Sequence, residues 1–145
     1  MLQNRLFCGG LDSSGRFHAI RSDFYCSEVG VASKDPAAKQ WQKLIQLGLE
    51  HIFHAVTISE ETGSEKMTTV TLQRTLEKLG VKPEKAVFVG CDLAQEIAVA
   101  NTVKMTTVRM KTGAHRAVGP RASEEKPALE ISKLSELFDI LRSSD

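Results

Sequence analysis

The side chains of this sequence that could do chemistry stand directly behind short apolar runs. Asp12 and Ser14 follow the run from Arg5 to Cys8, Ser33 follows Val29 to Ala32, the stretch from Ser59 to Lys66 follows Phe53 to Ile58, and Cys91, Asp92 and Glu96 follow Ala86 to Val89. Lys66 opens a predicted helix, where its charge opposes the macrodipole, so its placement favours a binding role over a structural one. Cys91 precedes a predicted helix N-terminus, a setting that lowers a thiol's pKa, although a small half-buried filler is the plainer role. Asp92 with Gln95 reads as a capping box, and that role ranks above metal binding. Ser33 and Asp35 lie at a strand-to-helix junction, where serine and aspartate are common caps whatever the function. His51 and His54 have no companions at metal-binding spacing. His115, Arg116 and Arg121 form a basic, solvated group in reach of an anionic partner.

These residues need elements to position them. The four apolar runs, together with Thr106 to Met110 and Ala128 to Ile131, are short and rich in β-branched residues, and they read as strands, most of them buried. Helical patterns lie between them. Asp35 caps a helix with Pro36 in its first turn, Trp41, Leu44, Ile45 and Leu47 on or near one face, and Gly48 as its stop. A second helix is predicted from about Lys66 to Leu79, with Leu72, Leu76 and Leu79 on one stripe, Gly80 ending it and Pro83 beyond. A third follows Asp92 with Ile97 and Ala100 inward. The last follows Ser132 and repeats Leu134, Leu137, Phe138 and Leu141. The stretch from Met110 to Pro127, crowded with glycine, proline and basic residues, reads as a loop. Strands alternating with helices imply a mostly parallel sheet covered on both faces, and such sheets bind ligands beyond the carboxyl ends of their strands.

Composition bounds the setting. A chain of 145 residues, 41% of them hydrophobic, fills one core, so a single domain over 1–145 is expected. Charged residues make up 26% and nearly cancel to +1, so no whole-molecule field points to nucleic acid or an anionic membrane. Three widely spaced cysteines, Cys8, Cys26 and Cys91, suit reduced thiols. No apolar stretch approaches the roughly 20 residues that cross a bilayer, and the N-terminus lacks the pattern of a secretory signal. A cytoplasmic protein is expected.

The segment from Leu47-Gly48 through Phe53, Ser59-Glu60-Glu61-Thr62-Gly63 and Lys66, then Leu79-Gly80-Val81-Lys82-Pro83 through Val89-Gly90, then Glu96-Ile97 and Lys104 to Arg109, resembles the haloacid dehalogenase (HAD) superfamily of hydrolases. The match runs from about Val29 to Leu141. The resemblance implies a three-layer Rossmann-like α/β fold with helices on both faces of a mostly parallel sheet. It also implies phosphate chemistry: a first-motif aspartate attacks phosphorus, a second aspartate serves as general acid and base, a serine or threonine and a lysine hold the phosphoryl oxygens, and magnesium neutralises charge. Carried over by position, Asp12 matches the acid/base, Ser14 the hydroxyl of the first motif, Ser33 the second motif, Lys66 the third, and Glu96 the later acid of the fourth.

Two positions depart from the pattern. Gly10 stands where the nucleophile should be, and Cys91 stands where the fourth motif supplies its first metal-binding aspartate, although hard cations select oxygen. Asp92 is one residue on, so Asp12, Asp92 and Glu96 are the acids left to hold a weakened magnesium site. The spacings from Asp12 to Ser33 and from Ser33 to Lys66 leave no room for the family's usual cap domains, so a capless, solvent-open site is expected, with a phosphorylated small molecule or macromolecule as its partner. The leading expectation is a catalytically impaired domain that binds phosphate through Ser33 and Lys66 or regulates a partner. The alternative is an active magnesium-dependent phosphatase using Asp12 as nucleophile. A minor alternative rests on Gly9 to Ser14, which is similar to the pyrophosphate loop of ATP pyrophosphatases. Residues 15–28 show no clear periodicity, and an incomplete layer there would leave apolar sheet surface that a second copy could cover.

Overall fold

The computed structural model describes residues 5–9, 29–33, 37–46, 55–63, 67–111, 115–133, 135–137 and 139. Six strands, β1 (Arg5–Gly9), β2 (Val29–Ser33), β3 (Ala55–Ile58), β4 (Ala86–Gly90), β5 (Thr106–Met110) and β6 (Leu129–Ile131), form one sheet in the order β3-β2-β1-β4-β5-β6. Every neighbouring pair is parallel. Each of the six apolar runs is therefore a strand. The expected absence of a cap falls largely on residues 10–28, outside the described residues.

Helices α1 (Ala37–Gln46), α2 (Thr69–Leu79) and α3 (Ala98–Val103) make the crossovers from β2 to β3, β3 to β4 and β4 to β5. The α2 and α3 helices contact each other and share one face of the sheet. The α1 crossover runs toward the opposite edge, and right-handed connection places it on the other face. The predicted stripe of α2 is buried: Leu72, Leu76 and Leu79 are at most 4% exposed and join Phe88, Ile97, Ala100 and Met105 in one core cluster. Gly80 ends α2 in the left-handed region, where a side chain would be strained.

Two helix expectations need correction. The α2 helix begins at Thr69, not near Lys66, because Thr68 is extended and its N–H donates to Thr71 Oγ1 at 3.3 Å, a capping box built from two threonines. Met67 before the cap and Leu72 in the second turn lie in the same core cluster, the positions of a hydrophobic staple. On α1, Trp41 is half-buried but Ile45 is 60% exposed, so the two do not share a buried face. Asp35, Pro36, Leu47 and Gly48 lie outside the described residues, as do Leu134, Phe138 and Leu141 of the last predicted helix; Leu137 of that helix is fully buried. No helix among the described residues is long and apolar enough to cross a membrane.

Lys104 ends α3 with a φ of 73°, the one non-glycine residue with positive φ among the described residues. The left-handed region costs an L-residue about 1–2 kcal/mol, offset in part by the extra unfolded-state entropy of glycine. Lys104→Gly is therefore expected to stabilise the domain by roughly 0.5–1 kcal/mol, read as a higher urea midpoint at unchanged slope.

Candidate functional site

Strand order reverses between β1 and β4. The chain proceeds outward from β1 through β2 to β3, then returns to pair β4 with β1 before moving the other way, so the connections leaving β1 and β4 diverge and open a crevice at their carboxyl ends. Gly9 ends β1 and Gly90 ends β4 at that crevice, and residues 91–97 follow Gly90 there.

The turn after β4 forms one side of it. Gly90 leads into a single π-helical turn, Leu93–Ile97, which passes directly into α3. One carboxylate closes the turn: Glu96 Oε2 accepts the N–H of Cys91 at 2.8 Å and that of Asp92 at 3.0 Å. Asp92 Oδ1 in turn accepts the N–H groups of Ala94 at 3.0 Å and Gln95 at 3.1 Å, capping the helix start. Asp92 thus caps as expected, but the carboxylate that reaches back to its N–H is that of Glu96, because the wide π turn rotates position 96 over the start of the helix. Position 90 must lack a side chain, since a Cβ there would sit 2.8 Å from both Glu96 Oε2 and Phe88 Cε1.

Beside this turn lies a cavity of about 180 Å³, walled by residues 91–94 on one side and by His115, Val118, Arg121 and Glu125 on the other. The second wall belongs to the loop after β5, and buried or bridging side chains hold it. Arg109, 2% exposed, donates through Nη2 to the carbonyls of His115 (2.6 Å) and Val118. Asn101 Nδ2 donates to the carbonyls of Glu124 at 2.7 Å and Lys126 at 2.9 Å, while its Oδ1 accepts from Thr107 Oγ1. Of the stretch read from the sequence as a loop, Met110 ends β5 and Ser123–Glu125 forms a short 3-10 turn; the other described residues are loop, tied to α3 and β5 by these bonds. Neither anchor was singled out from the sequence. An arginine within a buried strand was the available signal, because arginine is almost never fully buried unless paired.

Of the residues expected to act, Asp12, Ser14 and Lys66 lie outside the described residues. Ser33 is the last residue of β2, at the carboxyl edge of the sheet. Asp92 and Glu96 come together at the turn after β4, buried to 9% and 4% exposure. Cys91 is half-buried and lines the cavity. His115, expected to be solvated, is half-buried against the loop, whereas Arg116 and Arg121 are exposed.

A magnesium site is not complete in what is described. No three His, Cys, Asp or Glu side chains gather as metal ligands among the described residues. Both described acids after β4 commit an oxygen to backbone N–H groups, and the residue between Gly90 and Asp92 offers a thiol, a poor ligand for a hard cation. The described donors do not fit magnesium by themselves.

The chain was compared with known proteins. Residues 26–110 match the family model of the haloacid dehalogenase-like hydrolases. A glyceraldehyde 3-phosphate phosphatase of Methanopyrus kandleri is 43% identical over 115 residues, covering 79% of this chain and 49% of that protein. Among solved structures, a HAD phosphatase from Thermococcus onnurineus superposes with a TM-score of 0.67 at 31% identity, over 79% of this chain and 50% of that one. The HAD-hydrolase YfnB of Bacillus subtilis, solved bound to magnesium, shares the fold with a TM-score of 0.68 at 24% identity, over 79% and 49% of the two chains. The chain spans about half the length of the relatives it matches.

Glu96→Ala is expected to destabilise the domain by about 2–4 kcal/mol, because it strands two backbone N–H groups in a buried turn; Glu96→Gln, whose amide oxygen still accepts, should cost less in the same urea titration. A second expectation concerns Glu130, which pairs with Lys111 Nζ at 2.6 Å and Arg109 Nη1 at 3.6 Å. The hydrogen bond from Lys111 foremost, with the charges of Lys111 and Arg109, holds its carboxyl below the usual range against a partial desolvation. A depressed folded value means that the stabilisation is complete above the unfolded value, about 4.3, and is lost as pH falls through the folded one. Glu130→Gln should therefore lower the urea midpoint at pH 7, and the gap to the wild type should close as the pH is taken below 4.3.

Proposed function

The chain belongs to the haloacid dehalogenase-like hydrolases, and from that premise we propose that it is the phosphate-handling part of a phosphohydrolase that cleaves the monoester of a small phosphorylated metabolite. The observation that carries the reading is the reversal of strand order between β1 and β4, which brings the carboxyl ends of the two strands, Gly9 and Gly90, to one crevice. Asp12 follows the first of these strand ends, and Asp92 and Glu96 follow the second. The relatives' names, glyceraldehyde 3-phosphate phosphatase among them, support hydrolysis over the impaired binding domain favoured by the sequence alone.

In this reading Asp12 is the nucleophile. Its carboxylate forms a bond to phosphorus as the ester P–O bond breaks, the alcohol leaves with a proton from water, and a second water cleaves the acyl phosphate to release phosphate and restore the carboxylate. Ser33 and Lys66 hold the phosphoryl oxygens, the roles that the family resemblance gives them. Lys66 offsets the charge of a carboxylate approaching a phosphate dianion. Gly10 and Cys91 favour the second reading, a domain that binds phosphate without turning it over.

Hydrolysis of p-nitrophenyl phosphate separates the two. The wild type should release nitrophenol, Asp12→Ala should lose about a thousandfold or more, and magnesium and a chelator should be compared in the same assay. A silent wild type, or an Asp12→Ala variant as active as the wild type, rejects the nucleophile assignment.

A further inference from the structure

Phosphoryl transfer at the crevice makes no use of the cavity beside it. One wall, Cys91 to Ala94, is the turn at the end of β4, so the cavity opens next to where the phosphoryl group is proposed to react. Its volume of about 180 Å³ is well under the roughly 300 Å³ at which pockets for drug-sized ligands begin, so it has room for a short chain.

The lining chemistry narrows the occupant. Asp92 and Glu125 set two carboxylates against the guanidinium of Arg121, with the imidazole of His115 beside them, so the lining offers no excess of fixed positive charge. A second phosphate there would meet as much repulsion as attraction. A neutral, hydroxylated chain avoids that conflict, because each hydroxyl can donate to a carboxylate and accept from a guanidinium or an imidazole, and Val118 offers apolar contact to its carbons. The wall is also held in place before any ligand arrives, by Arg109 at His115 and Val118 and by Asn101 at Glu124 and Lys126. Such preorganisation reduces the ordering cost of binding.

We infer, resting on the phosphohydrolase reading, that this cavity receives the alcohol portion of a short hydroxylated monophosphate, with His115 and Arg121 as specificity-determining residues and Arg109 as a positioning residue that fixes their loop. His115 is half-buried and Arg121 exposed, so truncating either leaves the core intact.

The test uses glycerol 3-phosphate and inorganic phosphate as probes. In amide-resolved NMR titrations of the wild type, glycerol 3-phosphate should shift the resonances of Ala94, His115 and Val118, and inorganic phosphate should leave them in place. His115→Ala and Arg121→Ala should each weaken glycerol 3-phosphate about tenfold while affinity for inorganic phosphate is unchanged, a split that a general loss of structure would not produce. Unmoved amides, unchanged affinity in both variants, or a parallel loss for both probes overturns the assignment. Hydrolysis of glycerol 3-phosphate, measured alongside, tests the other reading separately. A wild type that binds as described but hydrolyses nothing rejects the phosphohydrolase while the ligand cavity stands; turnover with KM unaltered in both variants rejects the cavity alone.

Discussion

The pairing of β1 with β4 is the constraint on which the rest of this molecule depends. The two strands run parallel from Arg5 opposite Ala86 to Cys8 opposite Val89, although two other strands and two α-helices intervene among the described residues. Such a pairing must recover the closure entropy of a long intervening segment, and it does so through burial. The connection from β3 back to β4 carries α2 across the sheet, where Leu72, Leu76 and Leu79 pack with Phe88 of β4 and with Ile97 and Ala100 beyond it. The same reversal sets the carboxyl ends of β1 and β4 side by side at a switch point of the sheet. Core and crevice are therefore two consequences of one topological fact.

What was legible in the sequence follows from which interactions leave a periodic trace. The six strands are short, mostly apolar runs between helical patterns, and a run survives any detail of packing; the α2 stripe was equally plain. The start of α2 was not, because its cap pairs Thr68 with Thr71 where the recognisable pattern has a glutamate or glutamine. Ile45 continues the apolar pattern of α1 yet is exposed, since periodicity records the composition of a face and not what covers it. Arg109 and Asn101 were missed for a related reason. Their bonds run from one side chain to distant carbonyls, and nothing local in the sequence marks the far end. At the site, Asp92 and Glu96 were legible as acids behind a strand, whereas the division of labour between them was not, because it depends on the π turn.

That turn changes how substitutions of its acids must be read. Glu96 holds the N–H groups of Cys91 and Asp92, and Asp92 holds those of Ala94 and Gln95, so each carboxylate is a structural acceptor irrespective of any part in chemistry. Loss of activity on removing either side chain would report the fold of the turn together with the reaction. Isosteric amides separate the two, because they keep an acceptor oxygen and remove the charge.

The same geometry explains how a departure at position 91 is compatible with an intact site frame. Cys91 enters the network through its backbone N–H, which Glu96 accepts, and Gly90 before it provides the space for that carboxylate. Neither interaction depends on the side chain at 91. The backbone bonds that close the turn and start the helix hold with a thiol at this position, where the family pattern has a carboxylate, and the thiol changes the ligand chemistry offered to a cation at the crevice.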